Sequence, residues 1–370
     1  MSATEMSATD KGRKTIQMHL SFLMYFFTLA ICGIAISFPA AAQSGSVRAE
    51  QDTAGDSDAV ILIYHRFGDS RYPSTNIGLD QFSAHLDELR DGPYTVMPLA
   101  DIVEALRNDT PLPEKAVAIT IDDAYSTVAS EGWPLLREYG FPATLFVATE
   151  AVDRGYDGIL SWDEIRRLRD EGLEIGHHSA GHGHFVDMGV EAARADIEKA
   201  SARFMEELGS VPPVFAYPYG EYSTELEDLV ESLGFLAALA QYSSVAARQE
   251  GLYSLPRFPF NEQFGDIGRF RLAARTESLS VSGVLPEGPV LDDGNNPPAY
   301  GFTLTENAPN LANLNCFPSD GIAADIEILG GNRVEVRMGA SFPSGRSRIN
   351  CTLPAGGGDW YWLGKFFYIP

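Results

Sequence analysis

The chain has 370 residues, 45% of them hydrophobic and 21% charged, which is enough to bury a large core and to hold more than one domain. A net charge of −24 disfavours sequence-independent nucleic-acid binding, which depends on Lys/Arg stripes, so no nucleic-acid partner is expected. The acidic balance fits a solvated surface.

The first segment reads as a targeting signal over residues 1–42. Lys11, Arg13 and Lys14 precede the apolar run "LSFLMYFFTLAICGIAISFP", and "AAAQ" supplies a small-residue cleavage site after Ala42. The run is long enough that a retained membrane anchor is the alternative. A signal implies export, to the periplasm or the exterior, with membrane contact only through that segment if it stays uncleaved. Residues 43–57, "QSGSVRAEQDTAGDS", are small and polar and read as a linker.

From 58 to about 275, apolar runs alternate with amphipathic helices. "AVILIY" precedes a helix in which Phe82, Leu86 and Leu89 share a face. "AVAITI" precedes "WPLLREYG", a helix that Gly140 ends. "ATLFVAT" precedes "SWDEIRRLRDEG", where Ser161 and Glu164 make a capping box and Gly172 a stop. "LEIG", a long helix at about 190–208, "VFAYPYG", a helix to Gly234 and "FLAALA" complete the series. Alternation of this kind implies a parallel sheet with helices outside, either a β/α barrel or a doubly wound sheet. His65, Asp122 and Asp123, His178 and Tyr219 each follow an apolar run, where both architectures build sites. One shared face favours the barrel.

Beyond 275 the texture changes to short alternating runs separated by Gly, Asn and Pro, so residues 276–370 are expected to form a small β-sandwich. Cys316 and Cys351 are the cysteines left once the signal is removed, and in an oxidising compartment they are expected to pair. The alternative is two free buried thiols. Trp360, Tyr361 and Trp362 read as core or interdomain residues, or as platforms for sugar rings.

Chemistry collects in three strings. "TIDDAYS" ends a strand with two carboxylates that point in different directions. "EIGHHSAGHGHF" holds four of the seven histidines, and His178 and His182, spaced by four, converge on one ion if the segment makes a helical turn. Two histidines and a carboxylate form the ligand set of a catalytic zinc or another divalent metal. In "FAYPYGEYS", Pro218 restricts Tyr217 to extended geometry, Gly220 permits a sharp turn, and a rigid backbone N–H there suits an oxyanion.

"TIDDA", "HSAGH" and "YPYG", in this order, resemble the motifs T-F-D-D-G, H-[ST]-x-x-H and R-x-P-Y-G of the polysaccharide deacetylase family, the family 4 carbohydrate esterases. The resemblance covers roughly residues 58 to 260. It implies a distorted β/α barrel that removes acetyl groups from N-acetylated sugars. By that match Asp122 is the general base, and Asp123, His178 and His182 hold the metal, with Zn2+ first among the candidates. Tyr219, Pro218 and Tyr217 belong to the oxyanion and substrate-binding turn. Ala216 stands where the motif has Arg, and Arg257 in "LPRFPF" is the candidate substitute. No histidine follows residue 184, whereas most members carry a late one as general acid. His65, in "ILIYHRFG", resembles the early acid histidine of the circularly permuted branch that includes poly-N-acetylglucosamine deacetylases. The implied reaction is attack on an acetamide by a water that the metal activates, with Asp122 as base and His65 as acid, on an acetylated polysaccharide or oligosaccharide. The alternatives are an O-acetyl esterase and a degenerate carbohydrate-binding or export protein. His177 and His184 have no assigned role; one of them could replace His182 as ligand, or both could flank the site.

Overall fold

Strand β1 (Asp58–Tyr64) begins the part of the chain that this computed structural model describes, residues 58–305 and 311–370. The signal segment and the linker lie outside the described residues. Among those residues no helix is long and apolar enough to cross a membrane.

β1 joins a nine-stranded sheet with β2 (Thr95–Val96), β3 (Ala116–Asp122), β4 (Thr144–Val147), β5 (Glu174–His177), β6 (Val214–Ala216), β7 (Ala237–Leu239), β8 (Ala246–Ala247) and β9 (Phe258–Pro259). The order is β8-β1-β3-β4-β5-β6-β7, with β9 on β1 and β2 on β3. Every pair is parallel except β1 with β8. The central strands are apolar on both faces because helices cover the sheet; all seven residues of β3 are buried. The sheet curls as an incomplete barrel, and its strand C-termini gather the residues singled out in the sequence.

The helices follow the expected signals. Leu79–Asp91 buries Phe82, Leu86 and Leu89. Trp133–Tyr139 ends at Gly140 with φ 70°, the left-handed turn that glycine takes without a Cβ penalty. Trp162–Asp170 starts on the Ser161/Glu164 capping box, and Val190–Leu208 is the long helix. Thr224–Ser232 precedes β7.

The C-terminal part is two four-stranded sheets. One contains β10 (Glu277–Ser278), β13 (Asn315–Pro318), β16 (Gly345–Gly356) and β17 (Asp359–Ile369), in the order β10-β17-β16-β13. The other contains β11 (Val281–Leu285), β12 (Tyr300–Leu304), β14 (Ala324–Leu329) and β15 (Arg333–Met338), in the order β11-β12-β15-β14. Tyr300, Phe302, Val334, Ile349, Leu363 and Phe367 are part of the core they share. Cys316 and Cys351 lie directly opposite each other on β13 and β16 and form a disulfide.

Along β17 the side chains alternate with the strand period of two. Leu363, Phe367 and Ile369 enter the sandwich core, whereas Phe366 and Tyr368 pack with Tyr222 and Tyr242 of the β/α part. Trp362 sits edge-on to Phe258 of β9. Gly364 approaches Ser243 so closely that a Cβ would lie 2.1 Å from its carbonyl oxygen.

Candidate active site

Asp122 is the last residue of β3, so its carboxylate emerges at the C-terminal rim of the sheet. Arg257 meets it from the segment before β9, with Nη1 donating to Oδ1 at 2.7 Å and Nη2 to Oδ2 at 2.9 Å. Its Nε donates to Ala240 O, and its Nη1 reaches Thr120 Oγ1 at 3.4 Å. Both partners are buried. Burial alone would raise the Asp122 pKa, but the Arg257 guanidinium, with His178 and His65, more than offsets it and holds the carboxyl down at about 2. Asp122 is therefore ionised throughout the physiological range.

Asp123, His178 and His182 form the metal-competent cluster found among the described residues. His178 follows β5, and its Nδ1 donates to Ala216 O at 2.7 Å, which leaves the Nε2 lone pair facing the cluster. Burial is the main cause that lowers its pKa, to about 4, so the ring is neutral at pH 7. The three donor atoms form a triangle: His178 Nε2 to His182 Nε2 is 3.1 Å, His182 Nε2 to Asp123 Oδ1 is 3.2 Å and His178 Nε2 to Asp123 Oδ1 is 3.6 Å. Tetrahedral ligation with bonds of about 2.0–2.1 Å separates ligand atoms by about 3.3 Å. The donor set and its spacing fit a divalent metal.

The segment from His178 to His182 is not the helical turn that spacing of four suggested. It is a loop in which Ser179 and His182 have φ of 68° and 52°. Two contacts hold it: Asp196, on the 190–208 helix, accepts from Ala180 N at 2.8 Å and from Gly181 N at 2.9 Å, and Ser179 Oγ accepts from His182 N. Asp123, Ala124 and Tyr219 also have positive φ, so five of the eight such non-glycine residues among the described residues surround this site. Strained backbone of this kind concentrates where geometry is over-determined by function. Ala124 occupies, at φ 46°, the position of the motif's glycine.

Residues 218–220 form a single tight turn in which Tyr219 has φ 58° and Gly220 has φ 71°. A Cβ on Gly220 would lie 2.2 Å from the Gln241 Cβ. Tyr217 is extended, at φ −66° and ψ 132°. Its ring is fully buried and its hydroxyl donates to Tyr253 O, which makes it a core residue rather than part of the cleft wall. Pro218 is likewise buried, and Arg257 reaches the site only through Asp122. A cleft of about 490 Å3 opens over Asp122, Asp123, His178, His182, His65 and Tyr219.

The two unassigned histidines part company. His177 points to the opposite side of β5, among Phe204, Phe215 and Phe235, and burial lowers its pKa to about 3. It cannot replace His182. His184 stacks on the Tyr219 ring at 4.0 Å, and its Nδ1 lies 2.8 Å from Glu221 Oε2. Two residues near the site escaped the sequence reading. Asp196 carries no motif signal, and Arg346 arrives from β16, more than 120 residues after Tyr219.

Residues 109–238 match the family described as polysaccharide deacetylase. The chain contains a polysaccharide deacetylase domain. YxkH of Bacillus subtilis (strain 168), which carries the polysaccharide deacetylase name, is 24% identical over 197 residues, covering 53% of this chain and 69% of YxkH. The poly-beta-1,6-N-acetyl-D-glucosamine N-deacetylase of Escherichia coli (strain K12) is 25% identical over 295 residues; the match covers 66% of this chain but 42% of that protein's length. The deacetylase PplD of Streptococcus pyogenes, solved with acetate, shares the fold with a TM-score of 0.55 and 19% identity, over 59% of this chain and 98% of PplD. The match to the deacetylase family takes in Asp122, Asp123, His178, His182 and Tyr219; His65, Arg257 and Arg346 lie outside it.

Proposed function

We propose that the protein is a metal-dependent hydrolase that removes N-acetyl groups from an N-acetylglucosamine-containing polysaccharide. The observation that carries this reading is the Asp123–His178–His182 triangle beside the Arg257-clamped Asp122, on a polysaccharide deacetylase domain. The name of the Escherichia coli relative supports the choice of an N-acetylated glucosamine polymer. In this reading residues 58–275 do the chemistry and 276–370 are an accessory domain. The protein acts outside the cytoplasm, as the basic and apolar N-terminal pattern suggests.

Asp123, His178 and His182 would hold the metal, with Zn2+ favoured by a donor set of two imidazoles and one carboxylate. When bound, the metal supplies Lewis-acid polarisation of the acetamide oxygen and acidifies water. Asp122, fixed by Arg257, accepts the proton of the attacking water. The Tyr219 backbone N–H donates to the developing oxyanion from its constrained turn. His65, just past the end of β1 and on the cleft wall, is the general acid that donates a proton to the departing amine.

The test is acetate release from poly-N-acetylglucosamine oligomers, with and without chelator, by wild type and Asp122→Asn. The expected result is chelator-sensitive release that falls about 10²–10⁴-fold in the variant. A metal-loaded wild type that releases nothing from any acetylated glycan sinks the proposal, and an O-acetylated glycan in the same assay separates ester from amide cleavage.

A further inference from the structure

The cleft wall is not made by the β/α part alone. Arg346, the second residue of β16, also lines it and is the one Arg or Lys that does so among the described residues. Its position is fixed from three sides. Nη1 donates to Tyr219 O at 3.0 Å, and Nε lies 3.6 Å from Glu221 Oε1, a carboxylate that is itself 2% exposed. Arg346 pairs across the sheet with Tyr368, whose hydroxyl donates to Asp187 Oδ1 at 2.7 Å and so ties this end of the sheet to the segment after the histidine loop. Glu221 also engages His184, and His184 stacks flat on the Tyr219 ring, so the histidine without a motif role belongs to the mount of this arginine.

A guanidinium carries five N–H donors in a rigid fork. One is committed to Tyr219 O and a second faces Glu221, while the side chain as a whole remains 50% exposed. A half-exposed cation held this firmly has little conformational freedom left to lose when a ligand arrives. It does not reach the reacting centre, because its ion-pair partner is Glu221 rather than Asp122 or Asp123, and Tyr219 stands between it and His182. It lines the same cleft with the Tyr219 ring between it and His182, a place beside the reacting centre and not at it.

We infer that Arg346, carried into the cleft by the C-terminal sheet, binds the sugar next to the reacting one through the acceptor oxygens of its hydroxyl and acetamido groups, and so sets a preference for oligomers. This rests on the deacetylase reading above. It gives the accessory sheet a part in substrate selection: the catalytic groups come from the β/α part, and the neighbouring-sugar contact comes from β16.

The experiment compares wild type, Arg346→Ala and Arg346→Lys in the full chain with metal added. The substrates are a pentameric β-1,6-linked N-acetylglucosamine oligomer and the small ester p-nitrophenyl acetate, with thermal unfolding as a check on folding. Arg346→Ala is expected to lower kcat/KM on the pentamer about tenfold, mainly through KM, as suits loss of a charge-assisted hydrogen bond. That loss should exceed the loss on the small ester by about fivefold, and Arg346→Lys, which keeps the charge without the fork, should recover only part of it. Equal losses on both substrates would mean that Arg346 acts only on the Tyr219 turn and would overturn the inference, as would an unchanged pentamer rate. If wild type releases no acetate, the deacetylase reading is what fails, and calorimetric titration with the pentamer decides the inference. Binding about tenfold weaker in Arg346→Ala supports it; equal affinity, or no binding by wild type, overturns it.

Discussion

Replacing Arg257 with Ala is the sharpest test of how the site is built. The change removes both hydrogen bonds to Asp122, at 2.7 and 2.9 Å, and the donor to Ala240 O, at a position with no solvent access. Asp122 is then a buried carboxylate without its cation. Breaking a buried pair from one side costs about 3–5 kcal/mol, because the remaining charge is left uncompensated. That is a large share of a total stability of about 5–15 kcal/mol. The carboxyl can escape by taking up a proton: burial raises its pKa, and the largest opposing influence is gone. Two readouts follow. Urea unfolding at pH 7 should show the loss, and the acid limb of kcat/KM against pH should move upward. The double variant Asp122→Ala/Arg257→Ala should be more stable than the sum of the single losses predicts, by about 2 kcal/mol. A loss below about 1 kcal/mol for Arg257→Ala, the size seen for exposed pairs, would refute the reasoning.

Three further outcomes are expected. Metal-free protein should lose stability as pH falls from 6.5 toward 4, because burial holds His85 and His178 at about 4 and His177 at about 3. The unfolded chain takes up protons that these folded rings refuse, so stability rises with pH across that window, by about 2 kcal/mol per ring between pH 5 and 7; a urea midpoint that stays flat over this range contradicts the account. Asp123→Asn or His178→Ala should weaken Zn2+ binding by at least about 100-fold in a competition assay with a chromophoric chelator, and undiminished affinity would remove these residues from the ligand set. Gly220→Ala must place a Cβ 2.2 Å from that of Gln241 at φ 71°, so about 2 kcal/mol or more of stability should be lost, together with most of the acetate release; a variant with wild-type stability and rate contradicts the packing argument.

How much of this was legible depends on the length scale of each signal. The sheet and helices were readable because hydrophobic runs, the Ser161 capping box and the glycine stop at Gly140 are local features. His178 and His182 were readable as partners from their spacing, but the loop that joins them was not. A helical turn and a loop with positive φ at Ser179 and His182 both bring residues four apart together, and what selects between them is Asp196 on a later helix. Arg257 could be nominated only because the family motif that this chain resembles has an Arg where Ala216 stands; that its guanidinium meets Asp122 is set by a contact between residues 135 apart. Tyr217 misled because motif membership does not say which side of the chain a ring takes; its ring turns into the core. Arg346 had no local signal at all, since only the docking of β16 against the 218–220 turn brings it near.

The two-sided packing of β17 bears on how this protein can be cut and recombined. Phe366 and Tyr368 are core residues of the β/α part although they sit at the far end of the chain. Ending the protein near residue 275 would leave hydrophobic positions around Tyr222 and Tyr242 open to water. The C-terminal sheets are therefore no interchangeable attachment. Calorimetry should show a single unfolding transition, and a chimera carrying a foreign C-terminal domain would have to rebuild that alternating strand before it could fold.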